Sequence, residues 1–150
     1  MGEKVVQALN EIIGKSAPEP LSLRSAFYEV EDSTLVRKAW DGRPQHAPRE
    51  RFRPRSRDLG RLMSLVRDDR IRRLDDVQDP SSVRLTASFP GDYRAVICCG
   101  VNIGGKPIGI LSVDTPIVSA FTDEDEVFML ALAKLFGAAL VLAPRYQVSP

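Results

Sequence analysis

Hydrophobic positions near the start of the chain follow helical spacing, and those after a proline-rich break follow strand alternation. Residues 3–14 carry Val5, Leu9 and Ile13 at helical spacing, which predicts an amphipathic helix. Beyond the break at residues 16–20, LSLRSAFYEV and TLVRKAW are two β-rich runs joined by a short polar turn. Such a pair predicts an antiparallel hairpin.

The middle of the chain carries weaker signals. Residues 41–57 contain three prolines and little apolar material, so they are predicted to form a loop. Asp58 is in position to cap a short helix whose apolar side chains include Leu62 and Val66. The segment 70–92 is predicted to form one or two short extended pieces that are separated by proline-containing turns.

The last third of the chain has the strongest local pattern. The strand-like runs YRAVICCGVNI and KPIGILSVDT flank Gly104 and Gly105, which is the chemistry of a hairpin turn. Thr122 and Asp125 have the spacing of a helix capping box. The helix predicted from there to about Leu142 is apolar on nearly every side, so it needs cover from the sheet and from a second helix or subunit.

Composition limits the chain to one soluble globular domain spanning residues 1–150. Of these residues, 43% are apolar and 27% are charged, and the net charge of +1 does not indicate an electrostatic nucleic-acid or membrane binder. Cys98 and Cys99 are adjacent, so they cannot form the spaced disulfide framework of a secreted scaffold. A single histidine, His46, removes most zinc sites and most histidine-based catalysis.

The N-terminal sequence does not contain an apolar stretch of signal-peptide length. The long apolar run at residues 127–143 is interrupted near its centre by Lys134, which favours a buried helix over a membrane span. We therefore expect a cytoplasmic protein that does not bind membranes.

The order of the predicted elements, together with several motif residues, resembles a known family. The stretch YRAVICCGVNIGGKPIGILSVDTPIVSAFTDEDEVFMLALAKLFGAALVLA resembles the C-terminal half of a GAF domain. Its matching positions are Gly109, Leu111, Val113, Asp114 and Phe121. The N-terminal half is similar to the family in its layout, so the resemblance covers about residues 4–143.

The resemblance implies an α+β fold with an antiparallel sheet of five or six strands. The N- and C-terminal helices are expected on one face, and the segment 41–90 is expected to cover a small-molecule pocket on the other. GAF domains typically bind small ligands or dimerise in signalling proteins, where they regulate an output domain or a partner. An output domain is not visible in this sequence. The implied function is a non-enzymatic signalling module that binds a small molecule, dimerises, or does both, and a homodimer is expected. The alternative is a ligand-free structural domain that dimerises through helices 3–14 and 122–142.

Signatures of individual GAF subfamilies are incomplete. Cyclic-nucleotide phosphodiesterase members carry an adjacent Asn-Lys pair and then Phe, three residues and Asp-Glu. Phe121, Asp125 and Glu126 match the second part, whereas Asn102 and Lys106 are not adjacent. The sequence therefore gives little support to cyclic-nucleotide binding.

The sequence also lacks the residues that other cofactor-binding and enzymatic GAF domains use. Bilin attachment needs a cysteine in a pocket loop, whereas Cys98 and Cys99 lie in a predicted strand. Free methionine sulfoxide reductases use several separated cysteines, and haem ligation has only His46 to draw on. We accordingly expect neither an enzyme nor a metal site, and the sequence assigns no cofactor.

Arginines concentrate in the middle of the chain. Segment 43–73 holds eleven of them against four acidic residues, a net charge of +7 that leaves −6 for the rest of the chain. Three interpretations stay open: a solvated loop that pairs with acids elsewhere, an anion-binding cover of the pocket, or a nucleic-acid contact. Nucleic acid is the least favoured partner, because Phe52 is the one aromatic residue available for base stacking there.

The ligand site is predicted from position and chemistry. Cys98 and Cys99 must point to opposite faces of a strand, and free cysteine is usually buried. A reactive thiolate would need a basic neighbour, for which Arg94 is the candidate. Apolar side chains are expected to line the pocket, and arginines are expected to meet an anionic group of the ligand. The predicted ligand-binding residues are Leu62, Val66, Arg70, Ile71, Arg72, Arg73, Phe89, Tyr93 and Cys98.

Overall fold

A computed structural model describes residues 2–14, 23–42, 47–68, 70–79 and 93–142. It contains three helices and a five-stranded antiparallel sheet in the order β2-β1-β5-β4-β3. This architecture confirms the predicted α+β fold class. The elements are α1 (Gly2–Gly14), β1 (Arg24–Glu31), β2 (Thr34–Gly42), α2 (Arg57–Arg67), β3 (Ile71–Leu74), β4 (Ala95–Ile103), β5 (Lys106–Thr115) and α3 (Asp123–Leu140).

Both predicted hairpins are present, and each closes through two residues with positive φ. Asp32 and Ser33 join β1 to β2 with φ of 48° and 64°, and Gly104 and Gly105 join β4 to β5 with φ of 55° and 82°. Two consecutive residues with positive φ match the right-handed twist of the strands they connect. The hairpins then pair with each other through β1 and β5, where Phe27 lies opposite Leu111.

One face of the sheet is covered by α1 and α3, and we call it the helix face. Its core is apolar: Leu9 of α1 and Met129 of α3 are fully buried with the sheet residue Phe27. The rings of Phe27 and Phe136 meet edge to face with their centroids 4.8 Å apart. The N- and C-terminal helices therefore cover one face, as predicted.

The opposite face is covered by α2 and the chain leading into it, and we call it the α2 face. Leu59, Leu62 and Val66 of α2 pack here against Tyr28 and Ile110 of the sheet. Helical spacing of these leucines follows the pattern that predicted a short helix in this region.

The predicted loop at residues 41–57 needs two corrections. Its first two residues complete β2, and residues 50–52 run beside the outer edge of that strand. The backbone N–H of Arg37 donates to the carbonyl of Glu50 at 2.8 Å, and that of Phe52 donates to Leu35 at 3.1 Å. These hydrogen bonds satisfy backbone groups of both segments. The proline content of the segment does not reveal this pairing.

Side chains cap the N-termini of both α2 and α3. Ser56 caps α2 by accepting a hydrogen bond from the backbone N–H of Leu59 at 3.2 Å, so the prediction of Asp58 as the cap was wrong. The capping box of Thr122 and Asp125 at α3 is confirmed. Among the described residues, no helix has the length and apolar composition needed to cross a membrane.

Candidate functional site

Strand register places one row of side chains across the whole α2 face. Trp40, Ala26, Ser112, Cys98 and Arg72 are successive cross-strand partners from one edge of the sheet to the other. Cross-strand partners share a face, so we call these five residues the central row. Its three middle side chains are small and its two outer ones are large. The middle side chains therefore extend less far from the sheet than the outer ones, and in this sense the row is low in the middle.

The neighbouring row holds a buried ion pair. Both Nε and Nη2 of Arg24 donate to Oδ2 of Asp114, at 3.1 and 3.0 Å, and the two residues are 5% and 7% exposed. The guanidinium lies over the ring of Tyr93, 5.9 Å from its centroid. Because the two charges neutralise each other, the pair acts as a polar scaffold beside the central row rather than as a charged contact for a ligand.

On the other side of the central row, α2 approaches the sheet closely. A Cβ on Gly100 would lie 2.6 Å from the carbonyl oxygen of Leu65, so only glycine allows this packing distance. The hydroxyl of Tyr28 donates to the carbonyl of Arg49 at 2.6 Å, and burial raises the pKa of Tyr28 above its ordinary value. Tyr28 is therefore a neutral structural donor, and the candidate site lies between it and the Arg24–Asp114 pair.

Cys98 is in the middle of this site as a neutral thiol. It is 4% exposed, and burial raises its pKa to about 12, with smaller contributions from Asp114 and Cys99. Arg94 does not activate it, because that guanidinium donates to Asp76 at 2.9 and 2.8 Å. Cys99 is buried in the core of the helix face, so the two cysteines do point to opposite faces.

Several of the residues predicted for the site meet on the α2 face. Leu62 and Val66 are buried in α2 above the sheet, and Tyr93 and Cys98 belong to the same cluster. Arg72 is exposed at the β3 end of the central row. These five bring together apolar cover, a small floor residue and one cation at the rim.

The other predicted residues are placed differently. Ile71 packs against the core of the helix face, and Arg73 pairs with Asp123 of α3, Nη1 to Oδ1, at 2.9 Å. Arg70 is exposed immediately before β3, and Phe89 lies outside the described residues. We therefore leave Ile71 and Arg73 out of the site.

Sequence reasoning missed the residues that long-range register brings in. Ala26 and Ser112 are partners across β1 and β5, and Arg24 is 90 residues from its ion-pair partner Asp114. Strand alternation would have placed each of them on a face, but no local signal pairs the first hairpin with the second. Within the described residues, no three metal-ligating side chains converge.

Comparisons with known proteins agree with the fold. The family model for the GAF domain matches residues 18–140. Curated proteins give no sequence match. The type II free methionine-R-sulfoxide reductase of Thermoplasma acidophilum is similar in structure with a TM-score of 0.70 at 20% identity, over 92% of this chain and 90% of that one.

The GAF domains of two other proteins are similar as well. That of an Acinetobacter phosphoenolpyruvate-protein phosphotransferase has a TM-score of 0.72 at 15% identity, covering 99% of this chain and 85% of its own. That of a Bacillus halodurans two-component sensor histidine kinase has a TM-score of 0.68 at 13% identity, covering 97% of each chain. At these identities the likenesses show the fold.

The prediction that this chain is not an enzyme was wrong. It treated the fold as a sensory module, whereas free methionine-R-sulfoxide reductases have the same fold. The absence of separated cysteines excludes the cysteine arrangement expected of free methionine sulfoxide reductases. It does not exclude catalysis by other residues on the same fold. Activity is therefore a property to be measured for this chain.

Proposed function

This chain belongs to the GAF domain family, and on that premise we propose that it is a signalling module that binds a small molecule above its central row. The observation that carries the proposal is the low middle of that row. Ala26, Ser112 and Cys98 place small side chains at the centre of a face whose neighbouring rows hold Tyr28 and the Arg24–Asp114 pair. We infer a cytoplasmic location, as the sequence predicts.

The chemistry of the row suggests the class of ligand. Ser112 is partly exposed and offers a hydroxyl, which both donates and accepts hydrogen bonds. Trp40 at one end offers an apolar surface, and Arg72 at the other offers a guanidinium that suits a carboxylate or phosphate. We infer a small ligand with an apolar portion and one anionic group, held between α2 and the sheet.

Binding is tested with two site variants and a matched control. The first probe is free methionine-R-sulfoxide, a compound named for structurally similar proteins, followed by other small carboxylates and phosphates. Ser112→Leu fills the middle of the row, and Arg72→Gln removes the rim cation. Arg53→Gln removes an exposed arginine that is not a member of the row.

Titration calorimetry is expected to show binding to the wild type and its loss in Ser112→Leu. A charge-assisted hydrogen bond contributes about 1.5–3 kcal/mol, so Arg72→Gln is expected to weaken binding about 10- to 100-fold. Arg53→Gln should bind like the wild type. Equal affinity in Ser112→Leu and the wild type would place the ligand elsewhere.

The same samples also test catalysis. Each is incubated with free methionine-R-sulfoxide and a dithiol, and methionine is quantified by chromatography. Turnover that Cys98→Ser abolishes would identify an enzyme working at the central row. Binding without turnover would identify a sensor for this compound or its analogues.

A second function, homodimerisation, is favoured by a separate observation on α3. Phe128, Leu135 and Leu142 are 38%, 68% and 77% exposed and are spaced seven residues apart, with Ala131 and Ala138 between them. A seven-residue apolar repeat with small intervening residues is typical of paired helices. We infer that α3 pairs with α3 of a second copy.

The oligomeric state is measured by native mass spectrometry. Leu135→Glu is expected to shift the protein from dimer to monomer, whereas Lys134→Glu, on the adjacent exposed position, should leave a dimer. A wild-type monomer at all concentrations tested would contradict this second function and leave the ligand proposal intact.

A further inference from the structure

We propose that the outer side of α2 and its flanking segments forms a surface that binds the phosphate backbone of a nucleic-acid duplex. The surface is independent of the central row and of the helix pair. Its arginines are all exposed, and we call them the arginine surface. They are Arg51, Arg53, Arg55, Arg57, Arg67 and Arg70.

Acidic side chains of the described residues do not neutralise the arginine surface. In the described ranges, none of its six guanidinium groups forms an ion pair, in contrast to Arg24, Arg73 and Arg94, which pair with Asp114, Asp123 and Asp76. Residues 51–70 contain seven arginines and three aspartates, a net charge of +4. Among the described residues, the interpretation of the arginine run as a segment that pairs with acids elsewhere holds for Arg73 and not for the six arginines of the surface.

Two of the six positions, Arg57 and Arg67, are held by an ordered helix. Leu59, Leu62 and Val66 bury the inner side of α2 against the sheet, and Arg57 and Arg67 are exposed on the same helix. A rigid array of charges binds a rigid polyanion without the entropy loss of ordering a flexible loop. The part of the arginine surface that lies on α2 is in this sense preformed.

The residue type indicates phosphate. The segment 51–70 contains no lysine, although the chain has five lysines elsewhere. Guanidinium groups present a planar fork of donors that fits phosphate oxygens, whereas an ammonium acts as a point charge. Use of arginine alone is what repeated phosphate contacts favour.

Neither base stacking nor membrane insertion has support on this surface. Phe52 is 2% exposed, so among the described residues of the segment no aromatic ring is available to bases. The large exposed apolar side chains of the described ranges lie at Val118 and along or just after α3, and none of them belongs to residues 51–70. Backbone contact with a duplex, independent of base sequence, is the mode that remains.

Positive and negative charges are distributed unevenly over the molecule, and this distribution determines which side a polyanion approaches. The chain carries only +1 overall, which argued against nucleic acid when charge was counted over the whole molecule. The first turn of α3 carries Asp123, Glu124, Asp125 and Glu126, so positive and negative charge are concentrated on different elements. A polyanion is attracted to α2 and repelled from the start of α3.

Two triple variants with the same net charge test the proposal. Arg53→Gln, Arg57→Gln and Arg67→Gln are combined on the surface, and Lys4→Gln, Lys106→Gln and Lys134→Gln are combined at exposed positions elsewhere. Binding of a labelled 20-base-pair duplex is followed by fluorescence anisotropy between 50 and 200 mM salt. Circular dichroism and thermal melting verify that both variants are folded.

The wild type is expected to bind with a steep salt dependence, since each neutralised phosphate contributes about −0.9 to the slope of log K against log salt. The surface triple should lose at least about tenfold in affinity at low salt, and its slope should be shallower by about 2.7 for three lost contacts. The lysine triple should retain most of the affinity. Replacement of the same three arginines by lysine should restore most of the salt slope but only part of the affinity.

Three outcomes would overturn the proposal. One is the absence of duplex binding by the wild type at 50 mM salt. Another is an equal loss in both triples, which would show a response to net charge alone. The third is tighter binding to an acidic peptide or to anionic phospholipid vesicles than to the duplex, which would assign the surface to a different partner.

Discussion

The two faces of the sheet differ in buried charge, because Arg24 and Asp114, the buried charged residues of the described strands, both lie on the α2 face. The helix face has an apolar core, in which Phe27, Met129 and Phe136 are packed between the sheet and the helices. The α2 face combines apolar cover from α2 with the Arg24–Asp114 pair and with partly exposed Ser112. Both faces are formed by the same five strands. The difference arises because alternate residues of each strand point to opposite faces.

This contrast separates stability from function. Apolar residues of similar volume would fill the α2 face at no greater cost than an ion pair, and often at a lower one. A polar interior is therefore costly unless it does something that an apolar interior cannot. The helix face stabilises the fold, and the α2 face is where we place ligand binding.

The largest expected effect comes from breaking the buried ion pair. Asp114→Ala leaves the Arg24 guanidinium buried beside Tyr93, and removing one partner of a buried pair costs about 3–5 kcal/mol in the free energy of unfolding. Urea denaturation followed by tryptophan fluorescence measures the loss. Combined replacement by Arg24→Met and Asp114→Leu should recover most of it. If the double variant is no more stable than the single one, the pair is not acting as a neutralised unit.

Two glycines allow a matched comparison of the faces. A Cβ on Gly100 would lie 2.6 Å from the carbonyl oxygen of Leu65 in α2, and one on Gly137 would lie 2.5 Å from that of Asn102. Each alanine replacement forces a backbone shift that costs about 1–3 kcal/mol. Gly100→Ala displaces α2 from the sheet, whereas Gly137→Ala displaces α3.

Proton chemical shifts or hydrogen exchange of the two variants show where each perturbation goes. We expect Gly100→Ala to change residues of the central row and Gly137→Ala to leave them unchanged. Ligand affinity should follow the same division. If both variants perturb the central row equally, the two faces are more strongly coupled than their separate cores indicate.

Local patterns predicted the parts of the fold that are local. Gly104 and Gly105 identified a hairpin because positive φ at both positions is needed to close it. The spacing of Thr122 and Asp125 identified the start of α3 because the capping box is complete within four residues. Both signals lie within a few positions of the structure they determine.

The candidate site was only partly predictable because it depends on register between distant strands. Ser112 meets Ala26 and Cys98 through pairings across three strands, which no segment encodes alone. β3 has four residues, too few for alternation to fix its parity. Arg72 and Arg73 were therefore both placed in the site, although Arg73 pairs with α3 on the other face.

Helix capping gives a smaller and more local test. Ser56→Ala removes the cap of α2, and Thr122→Ala removes half of the capping box of α3. Each replacement should cost about 1 kcal/mol. Native-state hydrogen exchange is expected to show faster exchange in the first turn of the affected helix only. Loss of protection at α2 in Thr122→Ala would contradict the independence of the two faces.

The smallest expected effect is a pH dependence at the edge of the α2 face. Asp76 accepts hydrogen bonds from Arg94 and from the backbone N–H of Gln78, and these lower the pKa of Asp76 below its ordinary value of 3.8. A lowered pKa in the folded state stabilises the protein above pH 3.8, and this contribution disappears as the pH falls through the folded value. Asp76→Asn should therefore be less stable than the wild type at pH 7 and equally stable in strong acid.

Arg94→Gln is the partner control, because it removes the largest cause of the lowered pKa while keeping the carboxylate. Thermal melting of the wild type, both single variants and the double variant between pH 2 and 7 measures the coupling between the two side chains. The coupling should be present at pH 7 and absent at the acid end. A coupling that persists when Asp76 is protonated would mean that the contact is held by packing at this edge of the α2 face rather than by charge.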